Sequence, residues 1–440
     1  MRTFSGKHRV SPVFLVPAVL LGATAAAEAG GFGLREQSSY YQGTSFAGNA
    51  AGGAGLASMF WNPAAVSFLP GMQMEGNVSY IAPHASIDVI SARSALGTNL
   101  GTLGVSDIVD NAALPTSYVT YAWDRFAVGF SMTSPYGLVT DASCNWAGRY
   151  YGCYSRIFDI NIGANLAYKV NDWPTIGGGI QANYMDARLN QAQYVTGAPT
   201  YVTGSAQVDG DDIGYGFSLG ALITVMPGTT IGLGYRSQLQ QDLNGSTTVS
   251  LVNGRVIANP ATTASLTLPD QITASLRSQI SPQWTVLGTV EWTNWSTLQE
   301  LVIQPNGSAP SVLSLQWQDG WFFSGGLEYQ WDPKLALRAG IAYEISPVTD
   351  EYRTPRLPDS DRIWVSAGLT YNWNEHLSFD FAYTHIFAQT GSINLGPSDP
   401  ANATRGTLVA QVSDAYVDIV SVGLRYRFDA PTAKPALFVK

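Results

Sequence analysis

The sequence predicts an all-β chain: a 14-stranded antiparallel transmembrane β-barrel with an N-terminal, mostly helical hatch in its lumen. Three observations predict it. Apolar and polar residues alternate with period two, tight turns alternate with long polar connections, and about forty non-alternating residues precede the first strand. Composition agrees. Of 440 residues only 12% are charged, about half the share in an ordinary soluble protein, while 45% are hydrophobic and 45 are Gly. The formal net charge of −9 would repel phosphates, which excludes nucleic acid as a partner. An aromatic content of 12% speaks against a disordered polymer.

The first element is a secretory signal peptide, residues 1–29. Arg2, Lys7 and Arg9 precede the apolar run Val13 to Leu21, and small residues from Ala23 to Ala29 place cleavage after Ala27 or Ala29. No later stretch approaches the ~20 apolar residues that a spanning helix needs. Residues 30–71 form the hatch. Gly, Ala, Ser and Asn dominate there, with scattered Phe32, Leu34, Phe46, Met59, Phe60 and Trp61, which reads as short helices and irregular backbone. A fourteen-strand barrel leaves an interior its own side chains cannot fill, so the lumen is the place for this segment. A solvated periplasmic arm is the alternative, and the apolar content argues against it. Within the hatch, Asn62-Pro63-Ala64 reads as a helix N-cap with Pro in the first turn.

Residues 72–428 form the barrel. Phe158, Ile160, Ile162, Ala164, Leu166 and Tyr168 alternate with Asp159, Asn161, Gly163 and Asn165, and similar patterns recur to Phe428. A soluble sandwich also alternates. Connection lengths separate the two. Tight turns at Trp123-Asp124, Asn171 to Pro174, Met226 to Gly228, Ser281-Pro282, Asp332-Pro333 and Asn374-Glu375 interleave with long polar connections near 86–116, 140–153, 190–212, 243–263, 304–315, 346–361 and 390–407. That arrangement places every long loop on one side and fits the bacterial outer membrane, with lipid, or detergent after extraction, as the apolar partner of a monomer. Trp173, Trp284, Trp331, Tyr371, Trp373 and Tyr426, beside the short turns, suit an interfacial girdle. Residues 429–440 form a periplasmic tail.

Three smaller features follow. The strand Arg125 to Val139 alternates until Pro135 and Gly137, where it should bulge or bend away from its neighbour. Cys144 and Cys153, nine positions apart in an exported chain, suit a disulfide, with two free thiols as the alternative. Four His in the whole chain leave no basis for a metal or other cofactor. His376, Ser378 and Asp380 lie two apart and do not make a nucleophile-base arrangement, so the chain reads as no enzyme; a lipid-modifying enzyme is the weaker alternative.

Several segments then resemble a known family. Gly31-Phe32-Gly33-Leu34, Phe46-Ala47-Gly48-Asn49 and Phe60-Trp61-Asn62-Pro63-Ala64 are similar to the N-terminal hatch of the FadL outer-membrane transporters. Thr133-Ser134-Pro135-Tyr136-Gly137-Leu138, Gly234-Tyr235-Arg236-Ser237, Leu266-Thr267-Leu268-Pro269, Trp292-Thr293-Asn294-Trp295-Ser296 and Pro358 to Gly368 continue the resemblance in order along the mature chain. It implies uptake of hydrophobic compounds, long-chain fatty acids or aromatic or aliphatic hydrocarbons, by passive diffusion through a plugged barrel. It implies an anchor for the hatch at Asn62-Pro63-Ala64. It also implies an inward kink at Ser134, Pro135, Tyr136, Gly137 and Leu138, opening a lateral gate beside the next strand. Ligand-binding candidates are then Phe46, Phe60, Trp61, Tyr136 and Leu138 inside, and Tyr194, Tyr201 and Leu251 in the outer loops. Lys169 and Arg236 are inward-facing cations suited to a carboxylate. A general diffusion porin competes on fold alone but has no need of a hatch.

Overall fold

The computed structural model describes residues 30–67, 69–195 and 202–429. The leader, the tail beyond Asp429 and Tyr201 lie outside them. Fourteen antiparallel strands close into a barrel. They are β1 (Gly71–Arg93), β2 (Ala112–Trp123), β3 (Phe126–Thr133, resuming as Leu138–Asp141), β4 (Tyr154–Lys169), β5 (Pro174–Val195) and β6 (Val202–Met226). Next come four broken strands: β7 (Thr229–Arg236 and Leu239–Leu251), β8 (Ala261–Leu268 and Gln271–Gln279), β9 (Trp284–Thr293 and Glu300–Pro305) and β10 (Ser311–Ser314 and Gly320–Gln330). The wall ends with β11 (Leu335–Ile345), β12 (Arg362–Asn372), β13 (Leu377–Ala388, with Gly391–Leu395) and β14 (Thr407–Arg427). Pairing of β1 with β14 closes the cylinder, so the sheet has no free edge for the bilayer to solvate. Met72 N–H bonds Asp429 Oδ2, and Phe428 N–H bonds the Met72 carbonyl, which ties both chain ends to the side of the short turns.

Alternation explains which way each face points. On β5, Ile176 and Ile180 face outward at 52% and 71% exposure, whereas Gln181 and Asn183 face the lumen. Outward Tyr215, Phe217 and Leu219 on β6 and Ile341 on β11 belong to the same apolar band. An outward apolar band of this extent is what a membrane-spanning barrel presents.

Above that band the polarity inverts. On β5, Met185 is fully buried, with Ala187 and Leu189 on the same inward face, and the charged Asp186 and Arg188 turn outward, paired with Arg156 and Asp209. The strands therefore continue past the membrane with a dry inner face. The long connections expected near 190–212, 243–263 and 304–315 are for the most part this strand extension rather than loop, because an apolar face on the lumen side keeps the ladder worth extending.

Residues 30–67 touch the wall from inside. They contain two four-residue α-helices, α1 (Ser39–Gln42) and α2 (Ser58–Trp61), and a 3-10 helix, Pro63–Ser67. That is less helix than the sequence suggests. Besides the turn-like backbone bonds it makes within itself, the segment bonds to lumen-facing groups around the ring. Ser39 Oγ reaches Asn77 on β1 (2.5 Å) and the Gln37 carbonyl accepts from Tyr118 on β2 (2.8 Å). Ala50 N–H meets Ser275 on β8 (3.1 Å), Gly48 N–H meets Thr289 on β9 (2.9 Å), and Ser45 Oγ meets Ser366 on β12 (2.8 Å). Tyr41, Phe46, Met59 and Trp61 pack against Ile81, Leu114, Phe322 and Trp364 of the wall in one core. Polar partners this numerous make a dry but specific fit.

Candidate functional site

Asn62-Pro63-Ala64 lies against the inside of the wall. Asn62 Oδ1 accepts from Ala64 N–H at 3.0 Å, capping the 3-10 helix that Pro63 starts. Its Nδ2 donates to the Ala50 carbonyl (2.8 Å) and to the Ala221 carbonyl of β6 (2.9 Å), so the same side chain fastens the turn to the wall. Glycines make room. A Cβ at Gly220 would lie 2.0 Å from Asn62 Oδ1, and one at Gly177 would lie 2.4 Å from Ala64 N.

The expected break in β3 is present at residues 134–137. Below it, Phe126–Thr133 pairs with β4 from Tyr168 to Asn161; above it, Leu138–Asp141 resumes opposite Ile157. Between them the β3–β4 ladder is missing. The freed backbone turns to the N-terminal segment instead: Leu34 N–H bonds the Pro135 carbonyl (2.7 Å) and Gly137 N–H bonds the Phe32 carbonyl (2.9 Å). Gln37 clamps Ser134 by both ends of its amide, donating to the carbonyl at 2.8 Å and accepting from N–H at 3.3 Å. Across the gap, Asp159 Oδ1 accepts from Tyr136 N–H (3.3 Å), while its buried Oδ2 has no partner among the described residues. The kink thus points into the lumen, as an unpaired strand within a bilayer must.

Two cavities flank this kink. The inner one, about 710 Å³ including space open to solvent, is lined by Leu34, Phe60, Trp61, Tyr136, Leu239, Trp295, Phe322 and Arg236. Arg236 Nη2 donates to Gln181 (2.6 Å), Nη1 donates to the Phe60 carbonyl (3.2 Å), and the guanidinium lies 4.1 Å from the Phe60 ring centroid. No carboxylate pairs with it among the described residues. The outer cavity, about 700 Å³, is almost wholly apolar: Phe32, Met185, Leu189, Val208, Leu243, Leu266, Leu301 and Ile303 line it. Phe32 packs edge-on to Trp295 (5.0 Å between centroids) where the two spaces adjoin.

Below the inner cavity the lumen is charged. Arg277 pairs with Glu328 (2.8 Å), and Arg338 pairs with Glu328 (3.7 Å) and Asp380 (3.1 Å). Tyr40 Oη donates to Glu328, and Arg425 donates to the Ala54 carbonyl, so this belt also grips the N-terminal segment. At the other end, the loop 346–361 docks through Arg356, bonded to Ser155 Oγ (3.1 Å) and Gln191 Oε1 (2.9 Å). Burial, then nearby Arg405, holds that guanidinium below its usual range. Cys144 and Cys153 form a disulfide in the neighbouring loop, with Cα atoms 5.0 Å apart.

Phe60, Trp61 and Tyr136 come together on the inner cavity, and Leu138 joins the apolar cluster of the outer one. The remaining candidates do not converge. Phe46 is buried against Trp61 and Trp364 and lines neither cavity. Tyr194 stacks on Tyr150 (4.9 Å) in a separate recess of mixed polarity among the outer loops, and Leu251 sits at the far tip of β7. Lys169 is not inward-facing: it is at the β4–β5 turn, exposed, and paired with Asp172 (2.8 Å), because β4 ends there. The outer-cavity residues were missed. Their signal was the change of phase on β5, where apolar residues pass from even positions such as Ile180 to odd ones such as Leu189.

A family model described as outer membrane protein transport protein (OMPP1/FadL/TodX) matches residues 20–428. The chain is 29% identical over 410 residues to the long-chain fatty acid transport protein of Escherichia coli O6:H1, spanning 85% of this chain and 90% of that one. The crystal structure of a Pseudomonas aeruginosa FadL homologue shares the fold with a TM-score of 0.84 at 22% identity, over 91% of this chain and 100% of that one. The toluene transporter TbuX of Ralstonia pickettii does so with a TM-score of 0.66 at 20% identity, over 88% and 98%. With a closed barrel whose apolar face turns outward, and a family match along nearly its whole length, the chain belongs to the OMPP1/FadL/TodX family of outer-membrane transport proteins.

Proposed function

We propose that this protein carries hydrophobic carboxylic acids of the long-chain fatty-acid kind from the outer medium into the membrane, by passive diffusion and without catalysis. One observation carries the reading: an unpaired stretch of wall, residues 134–137, adjoins an aromatic cavity that holds a half-buried arginine without an acidic partner among the described residues. A ligand is captured first in the outer cavity, where burial stabilises each methylene by about 0.8 kcal/mol. It then moves past Phe32 to the inner cavity, where Arg236 receives its carboxylate. Residues 30–67 act as a plug, and the gap beside β4 is the lateral exit.

The names of relatives divide between fatty acids and toluene, and Arg236 supports the former, since a hydrocarbon gives a cation nothing to bind. The bonded, close-fitting N-terminal segment argues against a general diffusion porin. Of the mature histidines, His376 is at a short turn bonded to the Arg427 carbonyl, and His385 is on the outer face against Asp418; neither these nor His84 lines the inner or the outer cavity. Lipid would cover the exposed band of a single barrel. The test is growth and uptake on a panel of fatty acids and hydrocarbons, with and without this protein. Equal dependence on the protein for octane, toluene and oleate would overturn the preference for acids.

A further inference from the structure

The N-terminal segment meets the upper wall at a buried ion cluster. Arg35 pairs with Glu291 on β9 (2.5 Å) and Glu344 on β11 (3.3 Å). Arg362, opening β12, pairs with Glu344 (3.8 Å) and with Asp359. Glu36 lies buried within electrostatic reach of Arg35 and Glu344, and its Oε2 has no partner among the described residues. Arg353 donates to the Asp359 carbonyl but is itself paired with Asp350. The cluster therefore sets two guanidiniums against four carboxylates, all of them buried. Buried negative charge in excess is strongly unfavourable unless a cation or a proton offsets it.

Into this cluster point the backbone N–H groups of Gly30 and Gly31. Gly30 N lies 3.1 Å from Glu344 Oε1, and Gly31 N lies 2.8 Å from Asp359 Oδ2. Gly30 is buried, and a Cβ there would meet Glu344 Oε1 at 3.0 Å. The preceding Ala27-Glu28-Ala29 has the small-x-small form that a leader peptidase accepts.

We propose that the α-ammonium of Gly30, created when the leader is removed, is the missing cation of this cluster. A peptidase adds water across the Ala29–Gly30 bond; Ala29 leaves as a carboxylate and Gly30 keeps the nitrogen as an ammonium beside Glu344, next to the Gly31 amide that bonds Asp359. An amide hydrogen bond becomes a charge-assisted one. Gly30, Arg35 and Glu344 all line the inner cavity, so processing also completes a wall of the ligand site. The chain end acts as a latch between the N-terminal segment and β11.

Sequencing of protein purified from outer membranes, followed by labelling with an amine-reactive ester near neutral pH, tests this. Exposed Lys169 and Lys334 serve as internal references. Gly30 should be the first residue, and its amine should label at least tenfold more slowly in native detergent-solubilised protein than after denaturation. Glu344→Gln should raise the native rate at least tenfold. A chain beginning at another residue, or a native amine as reactive as the denatured one, overturns the proposal, as does an unchanged rate in E344Q. Should E344Q fail to assemble, the wild-type comparison alone decides. None of these readouts involves transport, so they stand apart from the ligand assignment.

Discussion

Arg236→Gln isolates the feature that separates an acid ligand from a hydrocarbon. The guanidinium gives one donor to Gln181 Oε1 at 2.6 Å and one to the Phe60 carbonyl at 3.2 Å, and its remaining N–H groups are free to meet a carboxylate. Glutamine retains an amide donor for those neighbours and removes the charge. A hydrogen bond to a charged group contributes about 1.5 to 3 kcal/mol, so fatty-acid affinity should fall about 10- to 150-fold. An uncharged alkane of equal length should change less than about twofold, since the apolar lining is untouched. Equilibrium binding of a radiolabelled acid and its alkane to purified protein in detergent reads both numbers, with cell uptake measured in parallel. Equal losses for the two ligands, or undiminished acid binding, would refute the assignment of Arg236 to the headgroup.

Replacing both Pro135 and Gly137 by Val should let β3 pair with β4 throughout. Uptake should drop at least tenfold at an unchanged level of folded protein in the outer membrane, while binding persists; unchanged uptake would sink the lateral exit. Gly220→Val pushes a side chain into Asn62 and Pro63, where even a Cβ has 2.0 Å of room, so the N-terminal segment should shift and single-channel conductance should rise. Silent bilayers would contradict its role as a plug. Cys144→Ser opens a nine-residue separation, worth about 2.5 kcal/mol by loop entropy, and should make the outer loops protease-sensitive at lower temperature without unfolding the barrel. Within a homologous series of acids, affinity should rise about fourfold per methylene until the outer cavity is full, as isothermal titration would show.

The barrel was legible because its code is local. Residues such as Ile162 and Asn161 alternate within one strand, and turns such as Asp332-Pro333 punctuate it, so strand number and sidedness could be read directly. The break at Pro135 and Gly137 was legible for the same reason. The cavities were not. Leu189, Leu243 and Ile303 are far apart in the chain, and meet only because their strands keep a greasy face inward above the membrane. The interruptions in β7 to β10 carry a weak local signal, a Pro269-Asp270 pair at best. Pairings such as Arg35 with Glu291, or Gln37 with Ser134, join residues 256 and 97 positions apart, and no window of sequence contains both partners.

The belt of Arg277, Glu328, Arg338 and Asp380 beneath the inner cavity has a physiological consequence. Two guanidiniums face two carboxylates, so the belt is neutral as a whole, and on the plug reading proposed above it gives the lumen a floor with no net charge to draw counterions. On that reading, many copies of the carrier add capacity for greasy nutrients without adding open channels to the envelope.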